Sequence, residues 1–249
     1  MASFEAMNQR VSCRAYADKP VEEEKIRELK QLVDEMNQES GLNMQFYGDH
    51  EKTELKLNGA MFTGPVYWYA VLAGGDDPES AEKIGYYGEK LVMRATELGL
   101  GTCWVGGTYD KDSIRVQLLS DQKVWDVIPI GYALDKVPFK QRMIRSRIRA
   151  KNIPLRDFFE SNVPFERIPE WVCLCGQAVL DGPSAVNGQP IRCTYQAEQS
   201  QDNESGQPAP KIELRICKEN HGFEYNDLGI AKYQFEYAAK AQGIDFKFV

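Results

Sequence analysis

The sequence has few of the residues that build disulfide scaffolds or metal centres. Its 249 residues include six cysteines and two histidines. No two cysteines form a CxxC pair, and only Cys173 and Cys175 stand close together. A disulfide scaffold of this length needs more cysteines, and a zinc site needs ligands at suitable spacing. We therefore expect neither a disulfide framework nor a bound metal.

Long hydrophobic runs and excess positive charge are also missing. The longest apolar run, residues 66–73, has eight residues, well short of the ~20 that a membrane-spanning helix needs. The 37 acidic residues outnumber the 30 basic ones, so the net charge is -7, which disfavours binding to nucleic acid. The first ten residues lack the features of a signal peptide. We expect a cytoplasmic protein that binds neither membrane nor nucleic acid.

The order of predicted elements points to an α+β layer fold. Residues 20–36 and 84–100 have apolar positions at helical spacing, and residues 66–75 read as a buried strand that ends at glycines. Residues 124–134 read as a second core strand. Alternation of helices and strands is typical of folds in which helices pack on a sheet.

The pattern of two helices occurs twice. Residues 164–179 resemble residues 20–36 at an offset near 142, and residues 228–244 resemble residues 84–100 at an offset of 144. Two matches in the same order, with nearly equal offsets, indicate a repeat. We infer two related halves, residues 1–155 and 156–249, that form an intramolecular pseudo-dimer.

Two basic segments suit an anionic ligand. Arg10 and Arg14 flank Val11 and Ser12 before the first long helix, and two guanidinium groups can hold a phosphate monoester by charge-assisted hydrogen bonds. Lys140 and Arg142 follow the predicted strand at residues 128–132. The alternative for both segments is a solvated surface charge.

Two further segments suit a planar heterocycle. Residues 99–107 form a glycine-rich turn after a helix, where bare backbone can approach a ligand closely. Residues 181–190 place a hydroxyl and two amides on a stiff loop. The alternatives are a tight turn with Trp104 in the core and an ordinary proline and glycine turn.

Together these segments resemble the nitroreductase family of FMN-dependent oxidoreductases. The resemblance lies in RVSCRAY with KPV, GLGTCWVGG, GYAL followed by KxR, and PSAVNGQP, which together cover most of the chain. In typical members the PSxxNxQPW run follows the first helix, and FMN lies between two subunits. Here the run follows the corresponding helix of the second half, and Ile191 replaces the usual aromatic residue. The resemblance therefore implies the single-chain branch, similar to the so-called TM nitroreductases, with one composite site.

The resemblance also implies roles for individual residues. The FMN phosphate and ribityl chain would lie on Arg10, Val11, Ser12 and Arg14, with Lys140 and Arg142 adding positive charge. The isoalloxazine would lie beside Trp104, Val105, Gly106 and Gly107, and a backbone N–H of that loop would hydrogen-bond flavin N5. Pro183, Ser184, Ala185 and Asn187 would close the site from the second half.

The family's chemistry belongs to the flavin, so no side chain is expected to act as a catalytic acid or base. The resemblance implies that NADH or NADPH delivers hydride, leaves, and is replaced by a nitroaromatic or quinone-like acceptor in a ping-pong cycle. One chain would suffice for the site. The alternatives are an FMN carrier or sensor with incidental turnover, and a relative that dehalogenates aromatics or breaks down reduced flavin.

Overall fold

The computed structural model describes residues 2–49, 53–135, 152–197 and 210–248. Within these residues the helices are α1 (Phe4–Gln9), α2 (Glu23–Ser40), α3 (Pro78–Glu97), α4 (Leu155–Phe158), α5 (Glu170–Asp181) and α6 (Glu224–Ala241). The strands are β1 (Gln45–Gly48), β2 (Trp68–Gly75), β3 (Gly101–Thr102), β4 (Gln122–Gly131), β5 (Phe159–Ser161), β6 (Ile191–Gln196) and β7 (Lys211–Ile216). None of these helices combines the length and the apolar character that crossing a lipid bilayer requires.

The first sheet has the order β1-β2-β4-β3, and its neighbouring strands are antiparallel. Strand β2 is buried on both faces. Trp68 and Leu72 pack into one hydrophobic cluster with residues of α2 and α3, whereas Tyr69 and Val71 pack into another on the opposite face. Burial on both faces explains why this strand reads as an unbroken apolar run rather than an alternating one.

The second sheet has the order β5-β6-β7, with β5 parallel and β7 antiparallel to the central β6. Its hydrophobic cluster draws residues from α5 and α6. The succession helix, strand, antiparallel strand, helix is therefore shared by α2-β1-β2-α3 and α5-β6-β7-α6. The prediction of an α+β fold is confirmed.

Two helices begin later than the sequence pattern indicated. Helix α2 starts at Glu23 rather than at Pro20, and the helix aligned with residues 164–179 starts at Glu170. In the second case Pro169 takes the position before the helix. A proline disfavours helical geometry in the residue before it, so the helix forms only beyond this point.

Helices α3 and α6 cross at two glycines. A Cβ on Gly85 would overlap the backbone oxygen of Asn226, and a Cβ on Gly229 would overlap that of Glu82. The same offset of 144 residues relates Gly85 to Gly229 and Glu82 to Asn226. The two contacts are therefore reciprocal, as in an interface with two-fold symmetry.

Candidate functional site

A cavity of about 420 Å³ lies where the N-terminal segment meets the loop after α5. Ligand pockets usually measure ~300–1,000 Å³, so the cavity is large enough for a small molecule. The expected site residues that line it come from both predicted halves: Arg10, Val11, Ser12, Arg14, Pro183, Ser184 and Asn187.

The N-terminal wall is an extended segment held by backbone hydrogen bonds. Ser12 forms a parallel bridge with Thr102, and the N–H of Cys13 donates to the Thr102 oxygen at 2.7 Å. The backbone oxygen of Arg14 accepts from the N–H of Thr63 at 2.9 Å. Cys13 is buried. Because side chains alternate along extended chain, Ser12 and Arg14 lie on the face opposite Cys13.

The buried Tyr16 links the C-terminal end of this extended segment to β4 by hydrogen bonds. The hydroxyl of Tyr16 lies 3.0 Å from the backbone oxygen of Cys13 and 3.1 Å from that of Pro129. Burial raises the pKa of Tyr16 well above its ordinary value, so the hydroxyl remains a hydrogen-bond donor at neutral pH.

Arg10 joins the N-terminal wall directly to the second half. Its Nη2 donates to the backbone oxygen of Asp181 at 2.8 Å. Asp181 is the last residue of α5, and a cation is favourable at the C-terminal end of a helix. This contact spans 171 positions in sequence.

The opposite wall of the cavity is a loop in an uncommon backbone conformation. Val186, Asn187 and Gln189 have φ angles of 47°, 54° and 45°. Positive φ is uncommon outside glycine and is a genuine outlier for a β-branched residue. The side chain of Val186 is also exposed, at 68%, so no tertiary packing explains its conformation.

Hydrogen bonds close this loop. The N–H of Gln189 donates to Ser184 Oγ at 3.1 Å, and Gln189 Nε2 donates to the backbone oxygen of Leu180 at 2.9 Å. Asn187 Nδ2 donates to Asn152 Oδ1 at 2.9 Å. The amide of Asn187 therefore contributes to the loop itself as well as to the cavity wall.

The fourth expected residue of this loop, Ala185, does not line the cavity. Its N–H donates to Asp227 Oδ1 at 2.9 Å, and its backbone oxygen accepts from Asn220 Nδ2 at 3.0 Å. Asn220 Nδ2 also donates to Asp227 Oδ2. Ala185 is thus the point at which the loop is attached to the start of α6.

The glycine-rich turn lies outside the cavity lining. Val105 is buried and pairs with Val127 of β4 through two backbone hydrogen bonds of 3.0 Å. A Cβ on Gly106 would lie 2.6 Å from the ring of Phe223, and Gly107 is exposed. The structure therefore does not bring residues 104–107 to the cavity wall, and their contact with a flavin stays a prediction. Lys140 and Arg142 lie outside the described residues.

Behind the cavity lies a buried carboxyl that sequence reasoning missed. Glu89 of α3 is fully buried and accepts from Trp104 Nε1 at 2.9 Å and from Gln234 Nε2 at 2.5 Å. Burial raises the pKa of Glu89 to about 7, against the opposing effects of the Arg10 charge and the two hydrogen bonds. A Cβ on Gly182, in the cavity wall, would lie 3.1 Å from the side chain of Gln234. The sequence signal that could have identified Glu89 is a single acidic residue on the apolar face of a predicted helix.

A pair of buried carboxyls, Asp126 and Asp227, lies between the glycine-rich turn and the cavity loop. Asp126 of β4 accepts from Asn226 Nδ2 at 3.1 Å, and a Cβ on Gly106 would lie 3.1 Å from Asp126 Oδ1. Burial and the nearby charge of Asp227 raise the pKa of Asp126 well above its ordinary value. Burial raises the pKa of Asp227 to about 7. The cavity therefore has cationic and amide groups and Asp181 in its walls, and further carboxyls lie behind them.

The sequence matches the family described as "Putative TM nitroreductase" over residues 3–239. Among solved structures, the fold is similar to that of a nitroreductase from Thermotoga maritima, itself described as putative. The TM-score is 0.58 at 20% identity, over 96% of this chain and 84% of that one.

Shorter solved structures match about half of the chain. An FMN-dependent nitroreductase from Clostridium difficile has a TM-score of 0.42 at 20% identity, over 53% of this chain and 88% of that one. The FMN-dependent nitroreductase NfnB from Mycobacterium smegmatis, in complex with NADPH, has a TM-score of 0.40 at 15% identity, over 53% and 87%. No curated protein shows significant similarity to the chain. Because the family match extends through both sheets and the cavity, the chain belongs to the TM nitroreductase family, a group of nitroreductase-fold oxidoreductases.

Proposed function

We propose that the protein is an FMN-dependent oxidoreductase that passes electrons from NADH or NADPH to nitroaromatic or quinone-like acceptors. The observation that carries this proposal is the cavity, which joins Arg10, Ser12 and Arg14 of the N-terminal segment to Ser184 and Asn187 of the second half. Membership of the family supports the same chemistry.

The residues present fit the parts of FMN. Two guanidinium groups and a hydroxyl suit the phosphate and the ribityl chain, because charged donors bind phosphate oxygens strongly. The hydroxyl of Ser184 and the amide of Asn187 suit the polar edge of a heterocycle. Bound FMN would supply the hydride chemistry, and the residues of this chain would bind it and orient it.

We further propose one such site in each chain. The predicted first half, residues 1–155, carries the arginines, and the predicted second half, residues 156–249, carries the PSAVN loop. The reciprocal contacts of Gly85 and Gly229 support a pseudo-dimer of these halves. A monomer would then suffice for the site, which would bind NADH or NADPH and a small-molecule acceptor in turn, as a ping-pong cycle requires.

The test is a titration followed by an assay. FMN is titrated into flavin-free protein of known oligomeric state, and we expect one FMN per chain, bound by the monomer. NADH or NADPH oxidation is then followed with a quinone or nitroaromatic, and we expect many turnovers per flavin. A single oxidation per flavin would indicate a carrier instead, and the absence of FMN binding would refute the proposal.

A further inference from the structure

The loop that borders the cavity needs an external restraint. Three of its residues that are not glycine have positive φ, and such strained conformations persist only where the surrounding structure holds them. Val186 is 68% exposed, so its side chain has little packing that could supply this restraint. The restraint must therefore come from contacts made by neighbouring residues of the loop.

Asp227 and Asn220 supply part of these contacts, beside the hydrogen bonds of Asn187 and Gln189. We refer to Asp227 and Asn220 as the clamp. Together they bind both backbone groups of Ala185, the residue directly before Val186. Asn220 also fits closely against the loop, since a Cβ on Gly188 would overlap its Oδ1 atom. The clamp thus holds the loop on both sides of its two adjacent strained residues.

The clamp is set in buried surroundings where its hydrogen bonds are strong. Asp227 and Asn220 are both almost fully buried, and hydrogen bonds in such an environment are electrostatically stronger than in water. Two further carboxyl groups face the clamp. Asp126 faces it from β4, and Glu224 lies in the first turn of α6, where it accepts from the N–H of Asn220 at 3.1 Å.

We propose that Asp227 is a positioning residue, which with Asn220 fixes the loop at residues 183–189 in its strained conformation before a ligand binds. The inference rests on the proposed function, because flavin is the ligand for which this wall would be preformed. A preformed wall improves affinity since the ordering of the loop no longer opposes binding.

The state of the Asp227 carboxyl gives the clamp a pH dependence. The ionised form accepts from both the N–H of Ala185 and the amide of Asn220. If the oxygen that faces Asn220 is protonated, two hydrogen-bond donors face each other and this hydrogen bond is lost. Burial raises the pKa of Asp227 to about 7, so the clamp weakens as the pH falls below 7.

The first experiment tests the clamp without flavin. Amide hydrogen exchange of residues 183–189 is measured by mass spectrometry in the parent protein, in Asp227→Asn and in Asp227→Ala. We expect at least ~10-fold faster exchange in Asp227→Ala, because the loop loses a charged hydrogen bond that opposes its local opening. Asp227→Asn retains an acceptor for Ala185 and should lie between the two. Unchanged exchange in both variants would refute the clamp.

The second experiment tests its role in binding. Riboflavin is used beside FMN because it has no phosphate to titrate. We expect Asp227→Ala to weaken both flavins about 10-fold, the equivalent of 1.4 kcal/mol. The matched control is Tyr86→Phe, which removes a part-buried hydrogen bond to Glu236 between two residues outside the cavity lining and should leave both affinities within about two-fold.

The pH profile separates positioning from general stability. The riboflavin affinity of the parent should fall relative to that of Asp227→Asn as the pH is lowered from 8 to 6. A loop that loses protection in Asp227→Ala while flavin affinity stays intact would overturn the positioning role. A parent protein that binds no flavin would refute the proposed function, whereas the exchange experiment would still decide whether the clamp exists.

Discussion

The two connections that follow the related helices α2 and α5 differ in how they reach the next strand. After α2, residues 41–44 lead to β1, and Gly41 takes the left-handed conformation with φ of 74°. After α5, residues 182–190 lead to β6, and Val186 and Asn187 take left-handed conformations instead. Glycine adopts this geometry without strain, whereas valine does not.

The difference follows the position of the cavity. The shorter connection is closed by Asn37, whose amide binds both the N–H and the backbone oxygen of Met44 at 2.8 Å. The longer connection borders the cavity. Its left-handed positions are occupied by Val186 and Asn187 rather than by glycine, although this strains the backbone. Strained backbone clusters at ligand-binding sites, so the strain of this loop supports the proposal that it serves a ligand.

The segments before these helices differ in the same way. At the offset near 142 that relates the first helices of the two parts, the positions of Arg10, Ser12 and Arg14 correspond to Asn152, Pro154 and Arg156. Arg156 is exposed and paired with Glu166 at 2.5 Å. The helices of the two parts are thus alike, but the second part has neither a guanidinium group at the position of Arg10 nor a hydroxyl at that of Ser12.

The largest effect is expected where the two parts are most alike, at the helix crossing. We expect Gly85→Ala and Gly229→Ala each to lower the free energy of unfolding by at least about 3 kcal/mol, because the new Cβ meets rigid backbone. Glycine to alanine within a helix otherwise stabilises by about 1 kcal/mol, so the sign of the change is decisive. Urea unfolding measures both variants.

Gly59→Ala is the control, since nothing lies within 4 Å of its added Cβ. We expect a change within about 0.5 kcal/mol there. A large loss in one crossing variant and none in the other would break the two-fold relation between α3 and α6.

Local patterns in the sequence predicted much of the fold. The helical spacing of apolar residues identified α2 and α3, because a helix buried on one face has apolar residues at helical spacing. The unbroken apolar run identified β2, because this strand is buried on both faces. The arginine segment and the proline loop were found by their chemistry, and the cavity brings them together.

The residues behind the cavity could not be predicted in this way. Glu89 and Gln234 are 145 positions apart, and Asn226 and Asp126 are 100 apart. A buried carboxylate is tolerated only because of partners that the helix crossing delivers. No local pattern encodes that crossing, so the sequence does not identify the partners of Glu89 and Asp126.

Glu89 is expected to produce the next largest effect. The offset of 144 places Tyr233 at the corresponding position of α6, so this carboxyl distinguishes the two parts. Burial raises the pKa of Glu89 to about 7, and the folded protein therefore keeps a proton between about pH 4.5 and 7 that the unfolded chain releases. The stabilisation is present at low pH and is lost as the pH rises through this window, by about 3 kcal/mol.

Glu89→Gln removes this dependence. Relative to the parent, we expect the variant to be about 3 kcal/mol more stable at pH 8 than at pH 5, as measured by urea unfolding at both values. Glu79→Gln is the control, because Glu79 is an exposed carboxylate on the same helix. A stability difference between Glu89→Gln and the parent that is equal at both pH values would mean that Glu89 is ionised throughout.

Arg14 tests whether only one part binds the phosphate. We expect Arg14→Ala to weaken FMN ~10- to 100-fold, because a charged hydrogen bond contributes roughly 1.5–3 kcal/mol. Riboflavin, which lacks the phosphate, should bind the variant and the parent alike. Arg156→Ala, in the second half, should leave both affinities unchanged. Equal weakening of FMN and riboflavin would assign Arg14 to the fold rather than to the phosphate.

The smallest effect is expected from exchanging the left-handed residues of the two connections. Left-handed geometry costs a residue other than glycine roughly 1–2 kcal/mol, partly offset because glycine gains ~0.5–1 kcal/mol of freedom in the unfolded chain. Gly41→Val, which meets open space, should therefore destabilise by about 1 kcal/mol, and Val186→Gly should stabilise the flavin-free protein by a similar amount.

The same variants sharpen the distinction between fold and ligand. Thermal unfolding is measured with and without FMN, since a ligand raises the melting temperature according to its affinity for the folded state. Val186→Gly should raise the melting temperature of the free protein and yet reduce the further rise that FMN produces, because the loop loses its fixed conformation. Gly41→Val should lower the melting temperature of the free protein and leave the rise that FMN produces unchanged. If Val186→Gly instead destabilised the free protein, Val186 would contribute to the stability of the fold. The difference between Gly41 and Val186 would then not be explained by ligand binding.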